Sequence, residues 1–247
     1  PRAAAEDDAP GDGPTVSSIK QIRLPDPMEQ LRIKLLLTDH EGRLKVLPAA
    51  ELAKVPIDLI QWYCVTHGVY GIPTVELIEQ LRPLLPPEDS IEIGAGNGVF
   101  GRTLGLRMTD SFQQVSVEGR AADMLRQAKQ MPVQYGDDVE KLDALAAIKA
   151  YKPKHVFGSW VTHKYRPERH ELGGNEEGID DLAVCRKVET YVVYGNDKVH
   201  FAKVKLLEEA RQAKKIKFDF KKFYGPGVYF SRGFTPEANC LMIWRMR

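Results

Sequence analysis

The sequence predicts an α/β fold, a doubly wound and mostly parallel sheet of seven strands with a C-terminal antiparallel hairpin, preceded by a helical segment. Three observations predict it. From residue 88 onward, short apolar runs alternate with amphipathic stretches, which is how the strands and crossover helices of a parallel sheet read. The first run, Ser90–Ile93, leads straight into Gly94-Ala95-Gly96-Asn97-Gly98, a strand-to-helix turn of the nucleotide-binding kind. The last two runs, Val228–Ser231 and Cys240–Arg245, are joined only by the turn Arg232–Asn239 and so pair antiparallel.

Taken in order, residues 1–17 are rich in Pro, Gly, Ala and acid and read as a disordered tail. Residues 18–87 read as an N-terminal hairpin or helical lid segment. In 31–47, apolar residues flank a polar turn containing Gly42, which fits a β-hairpin or a short helix. Three helices then open at Pro48, Pro56 and Pro73, each suited to a first turn, with Gly68 and Gly71 separating the last two. Residues 88–247 form the main domain. Strands fall at Ser90–Ile93, Leu106–Thr109, Val133–Tyr135, His155–Ser159 and Glu189–Tyr194, before the final pair. Helices are expected at 98–105, 121–129, 139–151, 179–187 and 202–213.

Composition narrows the function classes. The chain has 247 residues, 43% hydrophobic and 28% charged, which fits one sizeable globular domain with additions and excludes fibrous and wholly disordered chains. No stretch approaches the ~20 apolar residues of a membrane span. No basic flank precedes an apolar run at the N-terminus, so the expectation is a cytoplasmic protein. The three cysteines, Cys64, Cys185 and Cys240, form no C-x-x-C pair, which argues against a disulfide framework or a zinc knuckle. No metal site is expected. The net charge of +1 conceals an asymmetry. Residues 198–247 carry twelve Lys/Arg against four Asp/Glu, about +8, which leaves about −7 on the remainder. A basic end of this kind, chiefly 198–222, suits a nucleic acid. The plainer reading, a solvated helix face beside a sheet edge guarded by lysines, ranks ahead of it.

The Gly-rich turn points to the chemistry. Backbone must approach a ligand closely there, and Cβ atoms would block it. Gly94-x-Gly96-x-Gly98 suits one cofactor class, whereas Gly96-x-Gly98-x-x-Gly101 formally matches a dinucleotide fingerprint. Glu92 sits two residues before the first glycine, where a carboxylate suits an ammonium rather than a pyrophosphate. Acids recur after the next strands, at Asp110, Asp137 and Asp138, where a carboxylate can accept ribose hydroxyls.

With those residues in view, the stretch IEIGAGNGVFGRTLG resembles the first motif of class I S-adenosylmethionine-dependent methyltransferases. Asp110 in RMTDS matches the ribose-binding acid, with Glu118 in VSVEG as the alternative. GDDVEKLDA resembles the adenine-contacting stretch, with Asp138 chosen and Val139 beside the ring. HVFGSWVTHKY matches the fourth strand and its loop, and with residues 60–110 it is similar to uncharacterised methyltransferase-like proteins of phage and bacterial genomes. The resemblance covers about 88–247. It implies S-adenosyl-L-methionine as cofactor, held by Glu92, Gly94, Ala95, Gly96, Asn97, Gly98, Asp110, Asp137, Asp138, Val139, Ser159 and Trp160.

Methyl transfer from a sulfonium is an in-line displacement, in which the protein holds the acceptor near contact and removes a proton where needed. The family places those groups after the fourth strand, here Ser159–Tyr165. That loop lacks the Pro-Pro-aromatic pattern of amino-group DNA enzymes, and no cysteine follows a proline as in C5-cytosine enzymes. His163, which titrates near neutrality, is the candidate base and Tyr165 a candidate for orienting the acceptor. A surface histidine making a loop hydrogen bond explains His163 equally well. The expected function is methyl transfer to an unidentified O or N acceptor, whether small molecule, protein or RNA. The alternatives are a non-catalytic S-adenosylmethionine-binding module and an NAD-dependent oxidoreductase.

Overall fold

The structure is a computed structural model and describes residues 24–116, 120–127 and 130–247. The expected tail and Glu118 lie outside these residues. The chain opens with α1, Pro27–Leu37. Asp26 caps it, accepting from the Met28 and Glu29 backbones while the Glu29 side chain accepts from the Asp26 N–H. This capping box decides 31–37 for the helix, and the turn after it keeps a single bridge, Thr38 to Leu44, of the hairpin alternative. Then come α2, Ala49–Leu52, and α3, Ile57–Thr66. Strand β1 is Gly71–Ile72 and α4 is Val75–Leu81.

The Rossmann-like part follows. Strand β2 is Ser90–Ile93, α5 Val99–Leu104, β3 Arg107–Asp110 and α6 Arg120–Gln127. Next are β4, Glu140–Lys141, α7, Ala144–Tyr151, β5, His155–Ser159, and α8, Asp181–Cys185. The chain ends with β6, Thr190–Asn196, α9, Phe201–Gln212, β7, Phe218–Tyr224, β8, Phe230–Ser231, and β9, Asn239–Met246. The seven-stranded sheet runs β4-β3-β2-β5-β6-β9-β7, and only β9 is antiparallel to its neighbours.

Two expected strands are corrected. Val133–Tyr135 forms no strand, and β4 takes its place beside β3. Pro132 offers no N–H, and the Val133 N–H donates to Gln114 Oε1 at 3.1 Å instead of to a ladder. The expected helix over 139–151 accordingly starts only at Ala144, where Asp143 caps it. At the C-terminus, β9 pairs along its length with Phe218–Tyr224, not with Val228–Ser231. Phe218 and Phe220 alternate with exposed Asp219 and Lys221, the period-two pattern that a sheet edge accepts. Residues 230–231 instead pair with β1, tying the segment ahead of the sheet to the loop that precedes β9.

The sheet is buried on both sides. One face packs on α7, α8 and α9 around Val156, Tyr191 and Trp244. The other packs on α4 and α5 around Phe100, Phe157 and Tyr194. Strand β6 is buried throughout, as a central parallel strand should be. A third cluster joins α1, α2 and α3 to Phe230. The strand order reverses between β2 and β5, since β3 and β4 lie outward of one and β6 of the other. Ligands of open α/β sheets bind beyond the carboxyl ends of the strands at such a point. Among the described residues, no helix is long and apolar enough to cross a membrane.

Candidate functional site

A cavity of about 450 Å³ opens there. Its floor is the turn after β2, where Gly94, Gly96 and Gly98 stand at φ of +61°, +56° and +73°. Side chains rarely adopt this left-handed backbone. Space is short as well, because a Cβ on Gly94 would clash at 2.7 Å with Val161 Cγ1 and one on Gly96 would crowd Val133 Cγ1 at 3.1 Å. Asp110 fixes the turn from the end of β3. Its Oδ2 accepts from the Gly96 N–H at 3.0 Å and its Oδ1 from the Phe112 N–H at 2.9 Å. Burial raises the Asp110 pKa and the backbone hydrogen bonds oppose it. Beside it, Phe112 and Tyr135 stack at 4.0 Å between ring centroids.

The opposite wall is the arm 160–180, which leaves β5 and returns to α8. Trp160 begins it at φ +58°, a strained conformation for a bulky residue. Its backbone N–H is satisfied by the Tyr194 carbonyl at 2.8 Å. The arm turns back on itself, the Asn175 N–H donating to the His163 carbonyl and the Ile179 N–H to the Thr162 carbonyl. Its foot is anchored by a buried network, in which the Lys203 ammonium and the Tyr191 hydroxyl both reach Asp181 Oδ1. The roof comes from ahead of the sheet. Gly68, Tyr70 and Gly71 line the cavity, and the Tyr70 hydroxyl accepts from Gln114 Nε2 at 3.2 Å.

Of the residues chosen from sequence, Gly94, Ala95, Gly96, Asn97, Asp110, Ser159 and Trp160 line this cavity. The others stand elsewhere. Gly98 and Val139 lie beneath the turn, a Cβ on Gly98 falling 3.1 Å from Val139 Cγ2. Glu92 is fully buried behind the wall, where its Oε2 accepts from the Gly101 N–H at 2.7 Å. Burial pushes its pKa up to about 8. Asp137 is exposed outside the cavity. Asp138 is clamped by Arg102 Nε at 2.8 Å and Nη2 at 2.5 Å. Tyr165 is half-buried and outside the cavity, its N–H given to the Asn175 carbonyl at 2.7 Å. His163 is buried and turned into the arm. A Cβ on Gly174 would stand 2.8 Å from its Nε2, and burial lowers its pKa.

Sequence reading missed the acids of the rim. Asp143, Glu176, Glu177 and Asp180 join Asp110 around the cavity, with Lys164 the cation among the lining residues described. Asp143 and Asp180 carry a visible signal, since each caps the helix it precedes. Glu177 carries none, because it lies in an irregular arm. Its Oε2 and Ser159 Oγ are buried without a hydrogen-bond partner. With Trp160 Nε1 they make three orphaned polar atoms on residues that line one cavity, which is what a site shaped for a polar ligand leaves unsatisfied.

No protein-family model matches the sequence, and no curated protein matches it. Solved structures do. A precorrin 8w decarboxylase from Methanobacterium thermoautotrophicum is similar at 13% identity and a TM-score of 0.39, over 74% of this chain and 96% of that one. A human methyltransferase 10 domain containing protein is similar at 16% identity and 0.38, over 71% and 85%. An rRNA methylase from Streptococcus thermophilus is similar at 11% and 0.35, over 68% and 93%.

Proposed function

We propose that this chain, which has the Rossmann-like fold of class I methyltransferases, transfers a methyl group from S-adenosyl-L-methionine to an O or N acceptor. The observation that carries the reading is the charge of the cavity. Among the described residues, five carboxylates, Asp110, Asp143, Glu176, Glu177 and Asp180, line it against one lysine, Lys164. That field attracts a ligand bearing a sulfonium and an ammonium, and repels the pyrophosphate of a dinucleotide. It therefore speaks against hydride transfer with NAD. A reducing, cytoplasmic setting suits the three buried, unpaired cysteines.

The backbone at Gly94 and Gly96 approaches the ligand where a Cβ has no room. Asp110 keeps lone pairs for the ribose hydroxyls while holding the turn. Ser159 Oγ and the Trp160 backbone line the end where the acceptor enters. S-adenosylmethionine, when bound, supplies an electrophilic methyl group for in-line displacement. With His163 turned away, Glu177, a lining carboxylate whose Oε2 is buried without a hydrogen-bond partner, is the candidate to take the acceptor's proton. Burial raises the Glu177 pKa, which makes its carboxylate a better base near neutrality.

Calorimetric titration of the full chain with S-adenosylmethionine, S-adenosylhomocysteine and NAD tests the assignment. Micromolar binding of the adenosyl ligands is expected, weakened about tenfold by Asp110→Asn, which removes a charge-assisted hydrogen bond. Tight NAD binding would reverse it. A second reading, a binding module without catalysis, draws on the one candidate base of the sequence being shut away. Transfer of labelled methyl in a cell extract separates the two. Glu177→Gln should cut that transfer about a hundredfold and leave cofactor affinity intact.

A further inference from the structure

Four large aromatic side chains stand exposed along one edge of the sheet: Phe201, Tyr224 and Phe234 at 51% and Phe223 at 47%. The register places them. Ser159 pairs with Tyr194, Asn196 with Asn239, and Tyr224 with Cys240, so β5, β6 and β7 all end at the edge that carries the cavity. Phe201 follows β6, and Phe234 precedes β9, at that same edge. The turn holding Phe234 abuts the cavity wall, since a Cβ on Gly233 would lie 3.0 Å from Trp160 Cη2. The aromatics thus extend from the cavity toward the edge strand β7. Tyr224 is held there by its hydroxyl, which donates to Asp197 Oδ2 at 2.7 Å.

Beyond them the surface is basic. Lys205 on α9, Lys221 on β7, and Lys214, Lys215 and Lys217 in the turn that joins them are exposed, and none makes an ion pair among the described residues. A guard against edge pairing needs only the charges. Exposing Phe223 and Tyr224 on that same edge strand works against solubility, so it calls for a ligand that uses both features.

We propose that this edge docks a single-stranded nucleic acid, its phosphates on the lysines and its bases on the aromatic rings, and delivers a nucleotide to the cavity as methyl acceptor. The proposal names the acceptor of the methyl-transfer reading and rests on it. The acidic rim fits this path, because it repels phosphates and admits only an uncharged base from a strand held outside. Stacking on a ring that is already fixed tolerates any base, and free lysines supply the salt-sensitive part.

The test is fluorescence anisotropy with the full chain and labelled oligouridylate or oligothymidylate of about 12 nucleotides, a length one such surface spans. A duplex of that length and polyaspartate serve as competitors. Single strands should bind with a log–log salt slope of about −0.7 per phosphate neutralised. Phe223→Ala and Tyr224→Ala should each weaken binding about tenfold. Lys221→Glu should flatten the slope by about one contact. S-adenosylmethionine titration of the same variants should be unchanged, which shows them folded. Absence of single-strand binding at low salt overturns the proposal. So does indifference to the aromatic variants, or displacement by polyaspartate of equal charge. Loss of cofactor binding by the unaltered chain would instead defeat the methyl-transfer reading.

Discussion

The two loops that meet over the cavity are built by opposite means. The turn Gly94–Gly98 is held by its backbone, with three residues in left-handed conformation and one carboxylate, Asp110, on the Gly96 N–H. The arm 160–180 is held by contacts along its length, by bridges between His163, Lys164, Asn175 and Ile179 and by the buried Lys203–Asp181–Tyr191 network at its foot. The turn is short, so conformational demand selects its residues. The arm is long, so contacts spread along it hold it, and backbone conformation selects fewer of its residues. On the methyl-transfer reading, such a design fixes the cofactor end and leaves the acceptor end to be specified by the arm.

Breaking the anchor of the arm should have the largest effect. Lys203 is fully buried and faces Asp181, which is itself 6% exposed. Lys203→Met leaves that carboxylate buried without its cation, at a cost of about 3–5 kcal/mol in urea denaturation. Replacing both partners with apolar residues should recover most of the loss. A single-variant loss below about 1 kcal/mol would mean that the bridges alone hold the arm, and the contrast would weaken.

The turn should answer next. Gly94→Ala forces a Cβ into left-handed backbone, about 1–2 kcal/mol, and toward Val161 on the arm. S-adenosylmethionine affinity should fall more than tenfold by calorimetry, since Gly94 and Val161 both line the cavity and relieving the clash reshapes it. Affinity within a factor of three would show that the turn is not the cofactor floor.

Glu92 sharpens the same contrast through pH. Its folded pKa is raised to about 8 against an ordinary 4.5. Between those values the unfolded chain ionises Glu92 while the folded chain keeps it protonated, so stability falls as pH rises through that window. Glu92→Gln keeps an acceptor for the Gly101 N–H and removes the titration. It should match the wild type in urea denaturation near pH 4.5, exceed it near pH 8, and leave cofactor affinity unchanged. Affinity lost in Glu92→Gln would return Glu92 to the cofactor site.

What the sequence revealed follows the same division. The glycine turn, Asp110 and the strands β2, β3, β5 and β6 were legible because local rules dictate them. The segment around Val133 was not, because Pro132 and a side-chain acceptor on Gln114 withdrew it from the sheet. The edge strand at 218–224 was visible as a period-two pattern, yet its pairing with β9 depends on tertiary context. Gly178, whose Cβ would strike the His163 carbonyl at 2.2 Å, had no reason to be chosen, since its φ is ordinary and only the folded arm brings that carbonyl near. The acids of the rim converge from three separate elements, which no spacing in one of them announces.

His163 should show the smallest effect, and it decides the chemistry of the arm. The histidine stood out because its ordinary pKa lies near neutrality, but burial lowers that pKa and Nε2 faces Gly174 rather than the cavity. A histidine so placed stays neutral in the fold and loses stability only as pH falls below about 6.5, where the unfolded chain takes up the proton first. His163→Asn should therefore keep the rate of methyl transfer within about threefold and leave its pH profile in place, because general-base catalysis is worth about a hundredfold or more where it operates. The gain should appear in acid instead, as a smaller loss of stability below pH 6.5. A hundredfold fall in kcat with a shifted acid limb would make His163 the base and displace Glu177. The arm would then carry its catalysis in a buried core residue, and the division between a turn held by its backbone and an arm held by its contacts would fail at the position where the sequence first suggested it.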